Sequence, residues 1–261
     1  MTDVQAPPRA VPAATVMLLR DNPTLEVLMV LRHDKTRTHG GALVFPGGKS
    51  HDEDHDPDWA DHAEGWAELD DEQRGLRIAA VREVFEEAGV LLARRRDGTP
   101  IGAEVCPMDT RNAVDAGEVR FLDVIRDLDA RIDLNAVVQF ARWITPALGA
   151  HRFDTWFYLA RAPEDQVAAC DGRETVDLEW VTPEGALQLW RAGERRVVFP
   201  TRTNLGLLGE AANAADAIER ALNRPFISVQ PRVEERPEGR WLVVPSDAGY
   251  GPLEVPVAQA G

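Results

Sequence analysis

Cysteine is nearly absent from this 261-residue chain. The two present, Cys106 and Cys170, can build neither a disulfide framework nor a four-thiolate zinc centre. No apolar run reaches the roughly eighteen residues of a membrane span. The opening MTDVQAPPRAVPAAT lacks the apolar stretch of a signal peptide. Positive charge is also scarce: Lys and Arg total 29 against 44 Asp and Glu, a net charge of −15. Such a chain lacks the basic face that nucleic acid requires. These deficits predict a soluble, reduced, cytoplasmic protein that binds neither nucleic acid nor a membrane. What is abundant is apolar residue content, 44%, enough for a full core in one large domain with appendages.

The negative charge is unevenly spread. Between His51 and Glu72 lie eleven acidic residues, from Asp52, Glu53 and Asp54 to Asp70, Asp71 and Glu72, and no Lys or Arg. By composition this is a solvated loop. Two large rings inside it, Trp59 and Trp66, argue that the stretch is anchored on the body and ordered in part. His51, His55 and His62 also fall here. A flexible exposed loop explains them better than a transition-metal site, since no partner shell is visible.

The first twelve residues, rich in Pro and Ala, read as disordered. Segments 14–20 and 26–32, separated by Asp21-Asn22-Pro23, read as a hairpin. A short strand at 42–45 enters Pro46-Gly47-Gly48. Apolar residues at three- and four-residue steps predict a helix over 72–88, capped by Asp70 or Asp71 and stopped by Gly89. Segment 90–93 reads as a strand and 115–131 as a second amphipathic helix. Strands are expected at 140–144, 153–160 and 178–181, then helices at 183–191 and 204–222. The last helix would pack on the core or across a homodimer interface. Beyond Pro225 the chain is Pro-rich with short extended pieces at 226–229 and 241–244. Strands and helices without regular βαβ alternation indicate an α+β fold with a mixed sheet.

One turn stands out. Glu83, Glu86 and Glu87 lie at i, i+3 and i+4, on one face of the predicted helix. Their mutual repulsion, and their place at the negative end of the helix dipole, call for a positive charge that Arg82 alone does not supply. Read from the residues, this is either a solvated acidic face or a site for a hard dication with oxygen ligands.

The segment Arg82-Glu83-Val84-Phe85-Glu86-Glu87-Ala88-Gly89-Val90 resembles the core of the Nudix box, G-x5-E-x7-R-E-U-x-E-E-x-G-U with U a bulky apolar residue. Gly48 fits its first Gly, and five residues lie between Gly48 and Asp54, an acid where that pattern has Glu. The next gap departs from the pattern: twenty-seven residues instead of seven separate Asp54 from Arg82, an acidic insertion of twenty. Lengthening a loop about fourfold costs only about 1.2 kcal/mol of closure entropy. Together with Asp58-Trp59, Ala141-Arg142-Trp143-Ile144-Thr145-Pro146, Arg152-Phe153-Asp154-Thr155, Trp180-Val181-Thr182-Pro183 and Pro200-Thr201, this resembles the long-insert Nudix hydrolases related to the peroxisomal coenzyme A diphosphatases.

The resemblance implies an α/β/α sandwich over 13–224, with the insertion at about 51–72, an extra C-terminal helix, and a C-terminal extension, 225–261, packed on the domain. It implies Mg2+ or Mn2+ held by Glu83, Glu86, Glu87 and the Gly48 carbonyl, with Glu83 as ligand or base. Arg82 would orient Glu86, and Gly47 and Gly48 would let the backbone approach metal and phosphates. Asp54 either approaches the metals or is one more exposed acid. A further catalytic acid is expected downstream, at Glu174 in preference to Glu179. Arg32, Arg37, Arg142 and Arg152 are candidates for phosphate recognition, and Asp154 for a structural pairing near Arg152. The implied activity is cleavage of a pyrophosphate in a nucleoside diphosphate linked to another group. Coenzyme A or acyl-CoA, giving 3′,5′-ADP and 4′-phosphopantetheine, comes first, with ADP-ribose, NADH or nucleoside triphosphates as alternatives. A Nudix-fold binding module without turnover is the contrasting reading, disfavoured by the intact glutamates.

Overall fold

The computed structural model describes residues 8–33, 40–102, 107–147, 152–173 and 175–261. Strand β1 (Val11–Asp21) forms a hairpin with β2 (Leu25–Arg32). Residues 1–7 of the segment expected to be disordered lie outside the described residues. Val11 and Pro12 instead open β1, because they pair with Phe153 and Asp154. Two short strands, β3 (Leu43–Val44) and β4 (Gly47–Lys49), flank Phe45-Pro46 and pair with β2 and β1 respectively. Later come β8 (Val138–Ile144), β9 (Phe153–Arg161), β10 (Thr175–Val181) and β11 (Ser228–Val229). The sheet runs β10-β2-β1-β9-β8-β11. It is mixed: β1 is parallel to β9 and β8 to β11, and the other pairs are antiparallel.

Alternation along β1 shows how two layers form. Ala14, Val16 and Leu18 point to the face covered by α1 (Asp71–Ala88), where Leu76, Ala80, Val84 and Phe85 meet them. Met17 and Leu19 point to the opposite face, covered by α4 (Pro183–Arg191), α5 (Phe199–Leu208) and α6 (Ala214–Asn223). The result is an α+β fold with helices on both faces of a mixed sheet. A separate antiparallel sheet of β12 (Arg232–Arg236), β13 (Gly239–Val244) and β14 (Leu253–Pro256) sends Leu242, Val244 and Val255 into the second layer. A third small sheet joins β5 (Ala63–Glu64), β7 (Ala130–Asp133) and β6 (Ala93–Arg95). Among the described residues no helix is long and apolar enough to cross a membrane.

Helix α1 starts where Asp70 accepts from the Gln73 N–H, and ends at Gly89 with left-handed φ of 66°. Three sequence expectations need correction. Residues 90–92 are not a strand, because the backbone of Leu91 bonds the side chain of Gln166 instead of a neighbouring chain. The helix expected over 115–131 is shorter: α2 (Met108–Asp115) ends where it was to begin, left-handed Gly117 follows, α3 (Phe121–Asp127) fills the middle and β7 takes the last residues. The helix expected over 204–222 is split into α5 and α6, because Asn213 caps a new start by accepting from the Asp216 N–H.

The acidic insertion is not a solvated loop. It holds two 3-10 turns, Asp52–His55 and Pro57–Asp61, and the edge strand β5. Trp59 is 1% exposed, packs 5.7 Å from the Phe121 ring and donates its Nε1–H to Glu53 O (3.1 Å). Trp66 packs half-buried on the same core. His55 lies between the Ser50 hydroxyl and Asp71 O, directly over Gly75, while His62 approaches Arg96; the three histidines do not converge. Trp59→Ala should therefore lower the unfolding free energy by about 3–5 kcal/mol, read as a shifted denaturant midpoint at unchanged slope. A loss below about 0.5 kcal/mol would show that the ring does not anchor the insertion.

Candidate active site

The last turns of α1 are buried on all sides. Arg82 and Glu87 are 4% exposed, Glu83 and Glu86 8%. A helix face carrying three carboxylates would ordinarily turn to water. It is kept inward because Leu76, Ala79, Ala80, Val84 and Phe85 fix the helix on the sheet, and because the Phe45-Pro46-Gly47-Gly48 corner closes over its end. The corner is pinned by β4 pairing with β1 and by the Val16 N–H donating to Pro46 O (2.9 Å). The approach is so close that side chains are excluded. A Cβ on Gly48 would lie 2.5 Å from Glu83 Oε1, and one on Gly47 would lie against Ala14 O and 2.6 Å from the Thr15 Cα.

Each glutamate is engaged. The Gly47 N–H donates to Glu87 Oε2 (2.9 Å), and Arg32 Nη1, from the end of β2, lies 3.3 Å from Glu87 Oε1. Arg82 Nη1 donates to Glu83 Oε1 (2.9 Å) and to both oxygens of Glu86 (3.0 and 3.2 Å). The other edge of the same guanidinium forks onto Asp54, Nε at 2.9 Å and Nη2 at 3.1 Å, and Nη2 also donates to Lys49 O (2.8 Å). Asp54 is thus neither an exposed acid nor turned toward the glutamates. It is 1% exposed, takes the His51 N–H (2.8 Å) and clamps Arg82.

Burial alone would lower the Arg82 pKa, but Glu83, Asp54 and Glu86 outweigh it and hold the guanidinium above its ordinary value. Burial pushes Glu86 up from 4.5 to about 8; Arg82 opposes this and Glu83 adds to it. The two halves of this ion pair pull in opposite senses because several carboxylates share one cation. The helix end itself is served by Arg111 on α2, which donates from Nη2 to Glu86 O (2.9 Å) and to Ala169 O (2.9 Å). It sits beneath Gly89, where a Cβ would fall 2.7 Å from its Nη1. Sequence reasoning missed Arg111, whose only signal was the demand for a cation at that helix end.

Four carboxyl groups (Asp54, Glu83, Glu86, Glu87) and two guanidinium groups (Arg32, Arg82) are gathered in a buried site. The available donors are hard oxygens. Both features fit Mg2+ or Mn2+. Among the described residues, no three acidic, His or Cys side chains are already gathered at ligating geometry; as they stand, the glutamates are turned to N–H donors.

The corner also borders a cleft of about 420 Å³. Arg32, Gly47, Gly48 and Lys49 line one part, and Phe45, Trp143, Phe153, Phe199 and Leu242 line apolar walls. On the other side, Arg82 and Glu86 border a cavity of about 330 Å³ between the insertion and α2–α3. Two expected phosphate ligands are placed elsewhere. Arg142 forks onto Asp154 (2.7 and 2.5 Å) over the Trp156 ring, so Asp154 pairs with Arg142 rather than near Arg152. Arg152 donates to Thr145 O and Pro8 O. Neither lines the cleft. Glu179, half-buried on β10, lies 3.5 Å from Arg195. Glu174 and Arg37 lie outside the described residues.

Comparison with known proteins gives concordant results. The family model described as the NUDT19 Nudix domain matches residues 68–206. The human protein named acyl-coenzyme A diphosphatase NUDT19 is 29% identical over 208 residues, covering 74% of this chain and 56% of that protein. Its Xenopus laevis namesake is 24% identical over 271 residues, covering 86% and 71%. The chain thus spans little more than half the length of the human relative. A crystal structure of a NUDIX hydrolase from Alicyclobacillus acidocaldarius superposes with a TM-score of 0.70 at 27% identity, covering 82% of this chain and 97% of that one.

The Glu86 carboxyl supplies a pH test. Its folded-state pKa, raised above the ordinary 4.5, means that the folded protein binds the proton more tightly than the unfolded chain. The stability contributed by the protonated form is full below 4.5 and is lost as pH rises through about 8. In metal-free protein the melting temperature of the wild type should therefore drop between about pH 5 and about pH 8 relative to Glu86→Gln. Parallel profiles for the two proteins would refute the raised pKa.

Proposed function

Since the chain belongs to the Nudix hydrolase family, we propose that it cleaves a diphosphate linkage in a nucleoside diphosphate joined to another group, with coenzyme A or an acyl-CoA as substrate. One observation carries the reading: three glutamates buried against a glycine corner, beside a cleft of substrate size. The two relatives named acyl-coenzyme A diphosphatase support the substrate, as does a cleft with cations at one part and aromatic and aliphatic walls elsewhere.

Glu83, Glu86 and Glu87, with the Gly48 carbonyl, are the residues that would hold Mg2+ or Mn2+. Such an ion would offset the charge of the diphosphate and make an attacking water more acidic. Arg82 keeps Glu83 and Glu86 from swinging apart, and Asp54 keeps Arg82 in place. Arg32 and Lys49 supply positive charge where the phosphates lie, and Gly47 and Gly48 leave room for them. A carboxylate of the glutamate set accepts the proton of the water that attacks phosphorus. The bond between phosphorus and the bridging oxygen breaks, yielding two phosphomonoesters.

The test is turnover by the purified chain with Mg2+ or Mn2+ on CoA, acyl-CoA, ADP-ribose, NADH and nucleoside triphosphates. CoA or acyl-CoA should give 3′,5′-ADP and the corresponding 4′-phosphopantetheine, chelation should stop release, and Glu86→Gln or Glu87→Gln should each reduce it at least about a hundredfold. If no compound on this panel is cleaved with either ion, the enzymatic reading fails.

A further inference from the structure

The start of α5 opens on the cleft, which Val198, Phe199, Pro200 and Thr201 all line. First-turn N–H groups of a helix have no acceptor within the helix and must find one elsewhere. The residue before this helix, Val198, has no side-chain acceptor to offer. The Phe199 N–H donates to Ala260 O (2.9 Å) and the Arg202 N–H to Val198 O (3.0 Å), while Pro200 has no N–H. Thr201 is left. It is only 4% exposed, yet among the described residues neither its N–H nor its hydroxyl has a hydrogen-bond partner. Two donors without a protein acceptor, on one nearly buried residue that lines a cleft, are placed to meet a bound group that accepts from them.

The surroundings specify that group. In a chain of net charge −15, no Asp or Glu side chain among the described residues lines this cleft, and the charged side chains of its lining are Arg32 and Lys49. The helix start contributes partial positive charge. It is also held in place without a ligand: the Thr203 hydroxyl donates to Phe199 O (2.8 Å), and Trp143 Nε1–H reaches the Tyr250 hydroxyl (3.2 Å), which donates to Asn204 Oδ1 (2.6 Å). A fixed pair of donors binds an anion without first paying to order itself.

We propose that the first turn of α5, through the Thr201 N–H and hydroxyl, is a subsite for a phosphate monoester of the substrate, distinct from the diphosphate at the Gly47-Gly48 corner. This rests on the substrate class proposed above, since CoA carries such a group as its 3′-phosphate. Thr201 then selects substrates by a group remote from the bond that is cut.

Binding calorimetry on the full chain with adenosine 3′,5′-bisphosphate and with AMP tests this without requiring turnover. The wild type should bind the bisphosphate at least about tenfold more tightly. Thr201→Val, which keeps the volume and the N–H, should lose most of that ratio while AMP affinity changes by less than about twofold. Thr201→Ser should restore it, and the ratio between CoA and dephospho-CoA in kcat/KM should follow the same order. The subsite is refuted if the bisphosphate does not bind, if Thr201→Val leaves the ratio intact, or if it weakens both probes alike. A bisphosphate preference that depends on Thr201, in a protein that cleaves no diphosphate, would sink the proposed function and leave the subsite standing.

Discussion

A planar guanidinium can serve several carboxylates at once, and Arg82 is used that way: one edge faces Asp54, the other Glu83 and Glu86, and a backbone carbonyl takes a further N–H. A lysine in its place would be a point charge without the fork that fixes both sides. Buried ion pairs of this kind are weak sources of net stability, because desolvation consumes most of the attraction. Their effect here is placement. Without Arg82, Asp54, Glu83 and Glu86 would share a buried site with no guanidinium between them. With it, Glu83 and Glu86 are held on one side of the guanidinium and Asp54 on the other.

The insertion is part of the same arrangement. Asp54 precedes most of the insertion and Arg82 follows it, so the intervening residues must fold back for the two to meet. The ion pairs of Asp56 with Arg120 and Asp58 with Arg126 are exposed or partly so, and such pairs are worth about 0–1 kcal/mol each. Burial of Trp59 against Phe121 is the larger contribution. The run of acids is therefore the solvated outer side of a folded element whose inner side is aromatic.

Much of this was legible in the sequence because the signals were local. The apolar period of α1, the cap at Asp70 and the stop at Gly89 are each written within a few residues, as is the i, i+3, i+4 spacing of the glutamates. Side-chain to backbone bonds over long separations were not legible. Gln166 occupies the backbone of Leu91, and Arg111 serves the end of a helix more than twenty residues before it. The breaks at Gly117 and Asn213 were written locally but were overrun by longer amphipathic patterns. For Arg142 and Arg152, residue type suggested phosphate recognition. What decided their roles was the neighbouring strand, where Asp154 and the Thr145 carbonyl take their donors.

The cleft gathers residues from distant parts of the chain. Its corner comes from Gly47 and Gly48, but part of its wall is Pro231, Leu242, Val257, Ala260 and Gly261, seated on α5 through the Phe199 N–H and the Arg202 guanidinium. A nascent polypeptide emerging from the ribosome could therefore complete α1 and its charged cluster well before it had anything to enclose a ligand. A partly synthesised or clipped form ending before Pro231 would carry every acidic residue of the centre and still present an open, incomplete receptacle.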